Sequence, residues 1–220
     1  MITIKHLYWI IPGIMVAFLS SFIFADLLDI PRDLYYLIYF VIILSFLIFY
    51  IRKTNLHLKK WFSRRLVWGI ILGIIFAILM IQNVLSRPET AKLHGTALFW
   101  ALVWRGLLYG TVDGLILTVF PWVVTWRAFR AEEKNFLHKI GIGLIAALFI
   151  LAMTTLYHLG YRDFRSPKII QANIGNTIMS VPTLLSANPI GTPIVHATLH
   201  ITAVLHSPET DLFLPPHRPE

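Results

Sequence analysis

Two histidines late in the chain have the spacing of a metal-binding pair. His196 and His200 stand in the stretch NPIGTPIVHATLHITAVLH, residues 188–206. Residues four apart lie one turn apart on the same helix face, and two imidazoles so placed suit a divalent metal such as zinc. The surrounding sequence is apolar, and an imidazole in hydrocarbon needs a polar partner. The pair predicts a metal or catalytic site, with hydrogen bonding to a neighbouring helix as the simpler alternative.

Two charged residues interrupt the longest apolar run, residues 96–126. Arg105 and Asp113 each cost about 2.5–3.5 kcal/mol at the centre of a membrane helix, so both are expected to face protein or water. They are eight residues apart, about 12 Å along a helix, which argues against direct pairing. Asp113 is predicted to serve as a third metal ligand or general base, and Arg105 to steady an oxyanion. For both, an ion pair with another span is the structural alternative.

Further polar groups lie near the ends of apolar runs. His158 follows the fifth run and is predicted either to join the same catalytic cluster or to be an interface residue. A polar stripe at helical spacing, Asn173, Asn176, Thr177 and Ser180, is typical of hydrogen bonds between membrane helices. Lining of a polar cavity is the second interpretation of this stripe.

The composition places these residues in a membrane protein. The chain is 57% hydrophobic and only 14% charged, against about 25% charged residues in an average soluble domain. The net charge of +8 lies in loops beside apolar runs, which favours orientation in the bilayer and contact with anionic lipid over nucleic-acid binding. Disulfides and thiolate ligands are excluded because the chain has no cysteine.

The apolar runs predict an all-α, multi-pass bundle of six to seven helical segments. Residues 1–206 are predicted to form one transmembrane domain, followed by a polar, Pro-rich tail at 207–220. The predicted segments are residues 7–25, 34–51, 66–84, 96–126, 140–157, 169–185 and 193–205. The last two are short, so they predict a re-entrant pair or two thin spans.

The run from 96 to 126 predicts an irregular helix. As one straight helix it would be about 47 Å long, against about 30 Å of hydrocarbon. It must therefore tilt, project or break, and Gly106, Gly110, Gly114 and Pro121 are the expected break points.

Charge asymmetry predicts the orientation. Residues 52–65 carry six Lys or Arg and no acid, so this loop and the N-terminus are predicted to be cytoplasmic, in the cell membrane. The turn at 26–33 is predicted to lie outside, and Tyr35, Tyr36 and Tyr39 beside it are assigned to the membrane interface.

One partial family resemblance joins two of these regions. The sequence Arg105-Gly106-Leu107-Leu108-Tyr109 resembles the second half of the EExxxR-G motif of the CPBP intramembrane proteases, which include the CAAX prenyl endopeptidases. His196 to His200 resembles the HxxxN/H motif of that family. The resemblance implies a multi-span hydrolase acting on a membrane-embedded peptide or small molecule.

The chain departs from that family's pattern at two places. Trp100 and Ala101 stand where the paired glutamates would fall, and Thr154 stands where an FxxxH motif ending at His158 would need phenylalanine. The resemblance therefore implies a divergent or inactive relative, unless Asp113 replaces the missing acid.

Three classes of function remain open from the sequence. The first is a metal-assisted intramembrane hydrolase that uses Asp113, Arg105, His158 and the histidine pair. The second is a proton-coupled transporter or channel-like protein in which Asp113 and the histidines carry protons. The third is a non-catalytic membrane subunit, and haem ligation by histidines on separate spans is a further possibility.

Overall fold

The computed structural model describes residues 4–210 and 212–215, and within these residues the protein is helical and contains no β-strand. We number the helices in chain order: α1 (Lys5–Leu27), α2 (Arg32–Thr54), α3 (Leu58–Ser63), α4 (Leu66–Leu85), α5 (Gly95–Ala128), α6 (Phe136–Leu159), α7 (Lys168–Ser186) and α8 (Gly191–His206). Single 3-10 segments lie at Ile4–Trp9, Ala131–Glu133 and Arg162–Phe164. Every predicted segment corresponds to a helix, and α3 is an additional short helix in the basic loop.

Five of these helices, α1, α2, α4, α5 and α6, are long and apolar enough to cross a membrane. Their outward surfaces are apolar as well: on α4, about half of each of the Ile74, Ile75 and Ile78 side chains is exposed. Soluble proteins rarely expose contiguous apolar surface of this kind. The protein is an all-α membrane bundle, as the sequence predicts.

Local signals set several helix ends. Pro31 precedes α2 in extended conformation, and Asn55 ends that helix in the left-handed region at φ 49°. The Asn135 side chain caps α6 by accepting a hydrogen bond from the backbone N–H of His138 at 3.0 Å. These signals fix where the connecting loops begin.

Helix α5 runs without interruption for 34 residues, but it is not a regular α-helix. It widens into π-helix at Leu102–Leu108 and again at Leu115–Val119. Pro121, which has no N–H to donate, lies just after the second π segment, near the start of the α-helical stretch Phe120–Ala128. The predicted irregularity is therefore present as a change of helical pitch, and the chain does not leave the helical conformation at the glycines.

The glycines of α5 serve close packing. Helix α8 packs against α4, α5 and α7, and glycines line both of its larger contacts. A Cβ atom at Gly110 of α5 would lie 2.7 Å from the carbonyl oxygen of His196, and one at Gly73 of α4 would lie 3.1 Å from that of Gly191. Small residues four apart let membrane helices approach this closely. Helix α8 therefore occupies a slot between two glycine-bearing faces.

The polar stripe of α7 joins it to α6. The Thr155 hydroxyl donates to Oδ1 of Asn173 at 3.1 Å, and the Asn176 amide bonds the Thr154 hydroxyl. The predicted hydrogen bonding between helices is thus present, and α7 is held beside α6 by side-chain amides.

Candidate metal centre

Helices α5 and α8 bring three potential metal ligands together. Asp113 projects from α5, and His196 and His200 lie one turn apart on α8. One ligand atom from each lies within 4.8 Å of the other two, and His196 Nδ1 is 3.5 Å from Asp113 Oδ2. The three residues are 4%, 1% and 4% exposed. The predicted convergence of these residues in one buried site is confirmed.

The imidazoles in this site have unused hydrogen-bonding capacity. Both ring nitrogens of His196 and Nδ1 of His200 are buried without a hydrogen-bond partner among the described residues. The 3.5 Å approach of His196 to Asp113 is longer than a normal N–H···O hydrogen bond. A buried polar atom without a partner costs about 1–3 kcal/mol, so binding of a further group by these nitrogens would be favourable.

Asp113 is held in place from a second direction. Its Oδ1 accepts a hydrogen bond at 3.0 Å from the Tyr39 hydroxyl of α2. Asp113 also lies in the short α-helical turn Tyr109–Gly114, between the two π segments, and π-helical turns often occur at functional sites. The carboxylate is therefore oriented by α2, while its other oxygen faces the histidines.

Buried tyrosines continue from this carboxylate into the protein. Tyr157 is central: its hydroxyl lies 2.9 Å from that of Tyr109 and 2.5 Å from that of Tyr161. Tyr161 in turn lies 2.7 Å from the Tyr35 hydroxyl, and the Tyr109 ring meets His200 edge-on. Tyr35, Tyr36 and Tyr39 are fully buried, so their predicted place at the membrane interface is corrected. Their burial is tolerated because each hydroxyl has a partner inside the protein: Tyr161 for Tyr35, the Pro215 carbonyl for Tyr36 and Asp113 for Tyr39.

His158 lies in the same cavity but outside the group of three. Its Nδ1 is 2.8 Å from the Thr154 carbonyl oxygen. A carbonyl only accepts, so the proton lies on Nδ1 and leaves Nε2 as the basic nitrogen of the neutral ring. The geometry gives His158 the tautomer of a proton acceptor.

Arg105 has a partner that the sequence did not identify. Its Nε donates to Oδ1 of Asp33 and its second guanidinium nitrogen to Oδ2, both at 2.7 Å. Asp33 lies in the first turn of α2, so this bidentate pair fastens α5 to α2. Arg105 is not among the side chains that line the cavity, and its predicted contact with an oxyanion stays a prediction.

A cavity of about 510 Å³ connects the centre with the surface between α4 and α7. Its polar lining includes Asp113, His158, Asn176, His196 and His200, and its walls are mostly apolar. The Asn176 Oδ1 atom is a further buried acceptor without a partner in the part of the chain that the structure describes. The second predicted role of the polar stripe, lining a cavity, therefore applies to Asn176.

The three converging donors fit a catalytic zinc ion. Two imidazoles and a carboxylate, with a fourth position left open, are a common ligand set for such sites. Ligand atoms about 2.0–2.1 Å from a tetrahedral ion lie about 3.3 Å apart, so the group needs to contract only modestly. The tyrosine bond to Asp113 is the kind of outer contact that orients a metal ligand.

No family model matches the chain, and no curated protein or solved structure matches it either. The fold and the site alone define the class: a multi-pass helical membrane protein with a buried Asp/His/His group.

Proposed function

We propose that this protein is a metal-dependent intramembrane hydrolase whose divalent metal is bound by Asp113, His196 and His200. The observation that carries the proposal is their convergence within 4.8 Å while three imidazole nitrogens have no partner. A bound zinc ion at such a site would activate water and polarise a carbonyl group. The open cavity beside the three residues supplies the room that a substrate needs.

In this proposal His158 transfers protons and Tyr39 orients the Asp113 carboxylate. His158 presents Nε2 as its basic nitrogen, because Nδ1 is bound to the Thr154 carbonyl. It could accept a proton from a water molecule in the cavity and return it to a leaving group. Tyr39 keeps the Asp113 carboxylate oriented.

The substrate class follows from the walls of the cavity and from the family resemblance. Apolar side chains from α4 and α7 surround its opening, which suits a substrate that arrives through the bilayer. We propose a divergent relative of the CPBP proteases acting on a membrane-embedded peptide or small molecule, in which Asp113 takes the place of the missing glutamates.

Elemental analysis of the purified protein tests this proposal. Wild-type protein incubated with zinc, manganese, iron or cobalt and then desalted is expected to retain metal. His196→Ala is expected to lose it. His57→Ala removes an exposed histidine from the basic loop and is the matched control. A wild-type protein that retains none of these metals, or an H196A variant that retains as much as wild type, contradicts the proposal.

A second function is favoured by the tyrosine hydroxyls. The hydroxyls of Tyr109, Tyr157, Tyr161 and Tyr35 form a continuous hydrogen-bonded series beside Asp113, which is a possible proton path for a proton-coupled transporter. Proton flux in proteoliposomes that falls in Tyr157→Phe, in a protein that binds no metal, supports this function in place of the first.

We further propose that the basic loop is cytoplasmic in the cell membrane. The opposite end of the bundle holds its positive charge in ion pairs, since Asp26 binds both Arg162 and Arg165. Single cysteines at Ser63 and Lys92, both exposed, are expected to react with an impermeant maleimide from opposite sides of the membrane. Labelling of S63C in intact cells contradicts this orientation.

A further inference from the structure

A short segment of the chain after α8 forms part of the wall of the cavity. Leu212, Phe213 and Pro215 line the same cavity as Asp113 and the two histidines. Leu214 is fully buried and Phe213 is 6% exposed. The segment Leu212–Pro215 belongs to the region that the sequence predicts to be a polar tail, yet its apolar residues are packed into the bundle.

Buried side chains hold this region through its backbone carbonyl groups. The Tyr36 hydroxyl donates to the Pro215 carbonyl oxygen at 3.0 Å, and the Arg32 guanidinium donates to that of Pro208 at 2.9 Å. The backbone of Phe213 is a hydrogen-bond partner of the His200 imidazole. Contacts to main-chain groups depend little on the sequence of the bound segment, and here the segment makes them from turns and bends.

Apolar side chains supply the rest of the contact. Phe213 and Leu214 join one packed cluster with residues of α4, α7 and α8, among them Met80, Met179 and Leu199. The chain after α8 is thus held by donors to its carbonyl groups and by apolar side chains, and Leu212, Phe213 and Pro215 lie beside the candidate metal ligands.

We propose that the ligand of this cavity is an apolar peptide and that Leu212–Pro215 occupies its place in the resting protein. This inference rests on the proposed function, because it names the substrate class of the same centre. Release of the segment exposes the centre, and an apolar peptide then binds through the same carbonyl and side-chain contacts.

Cysteine labelling tests the inference directly, because the chain has no cysteine of its own. Met179→Cys places a thiol in the cavity wall beneath the segment. Its reaction with a membrane-permeant maleimide is expected to be slow in the full-length protein. Tyr36→Phe removes one carbonyl contact and is expected to speed the reaction roughly two- to tenfold. Tyr8→Phe, which changes a largely exposed tyrosine, is the matched control and is expected to change nothing.

A stronger variant and a peptide probe complete the experiment. Phe213→Asp puts a charge into the apolar cluster and is expected to speed labelling more than Tyr36→Phe does. The synthetic peptide TDLFLPPH, the sequence of residues 210–217, is expected to slow labelling of this variant again, whereas TDLDLPPH is not. Unchanged labelling in both variants, or a lack of protection by TDLFLPPH, overturns the inference.

Metal content measured on the same samples separates this inference from the proposed function. If the protein binds metal but TDLFLPPH does not slow labelling, the proposed peptide site is overturned and the metal-dependent hydrolase is not. Peptide protection without bound metal supports the peptide site and contradicts the metal-dependent hydrolase.

Discussion

Helix α5 carries two ionic groups, eight residues apart, whose contacts with the rest of the protein differ. Arg105 is fully engaged by a bidentate contact with Asp33, at a position where the aspartate side chain is 52% exposed. Asp113 is buried and meets two histidines, of which both ring nitrogens of His196 and Nδ1 of His200 have no hydrogen-bond partner within the described ranges. The first arrangement is complete as a structural link between two helices. The second retains unused hydrogen-bonding capacity, which is a better guide to a candidate site than charge in a membrane helix.

The largest expected difference between the two groups concerns metal binding. Asp113→Asn removes a carboxylate ligand and is expected to weaken metal binding by more than about 100-fold, because loss of outer contacts alone costs 10–100-fold. Asp33→Asn makes the same chemical change at the Arg105 end and is expected to leave metal binding unchanged. Competition with a chelating dye measures both affinities. Equal losses in the two variants would show that the two groups act together.

The glycine between the two groups tests how α8 is positioned. In Gly110→Ala the new Cβ meets backbone atoms of His196 and Ala197 at 2.7–2.9 Å, and backbone cannot rotate away. A loss of about 1–3 kcal/mol of stability is expected, together with loss of metal binding. Gly143→Ala in α6 has no such neighbour within 4 Å and is expected to be neutral or stabilising by up to about 1 kcal/mol. Thermal unfolding in detergent measures the stability of both variants. Equal stability of Gly110→Ala and Gly143→Ala would contradict the close packing of α8 against Gly110.

The orientation of Asp113 by α2 gives a smaller effect. Tyr39→Phe removes the hydrogen bond to Asp113 Oδ1 without changing the packing of the ring. Metal affinity is expected to fall about tenfold, as for other contacts that orient a ligand. Tyr8→Phe on the exposed surface provides the control in the same titration. An unchanged affinity in Y39F would mean that α5 alone orients the carboxylate.

The smallest effect is expected for the ion pair between Arg105 and Asp33. A double-mutant cycle with Arg105→Gln and Asp33→Asn is expected to give a coupling free energy of at most about 1 kcal/mol, because the aspartate is half exposed and its charge is screened. Reversible unfolding measures the coupling. A coupling above about 3 kcal/mol would place this pair in a far less polar environment and weaken the contrast with Asp113.

Much of this architecture can be predicted from local features of the sequence. The predicted apolar runs lie within the observed helices, and their ends differ by a few residues at most, because hydrophobicity and length are properties of each run. The meeting of Asp113 with the histidine pair also follows from local chemistry, since neither a carboxylate nor an imidazole tolerates lipid.

The partners across the bundle could not be predicted in the same way. Asp33 was assigned to an outer turn, whereas α2 already begins at Arg32 and brings the carboxylate to Arg105. Tyr39 was assigned to the interface because tyrosine is common there, and only packing reveals that its hydroxyl reaches Asp113. The glycines of α5 carried a usable signal: Gly106, Gly110 and Gly114 are four apart, which is typical of close helix contact rather than of a break.

The slot that holds α8 has a consequence for biosynthesis. Helix α8 has 16 residues and is not among the helices long and apolar enough to cross a membrane, yet 11 of its residues are buried and it packs against α4, α5 and α7. Since α4 and α5 leave the ribosome earlier, they enter the bilayer with their glycine faces uncovered and remain so until the later segment arrives. The candidate site is therefore assembled last, because neither histidine can reach Asp113 before α8 has been synthesised.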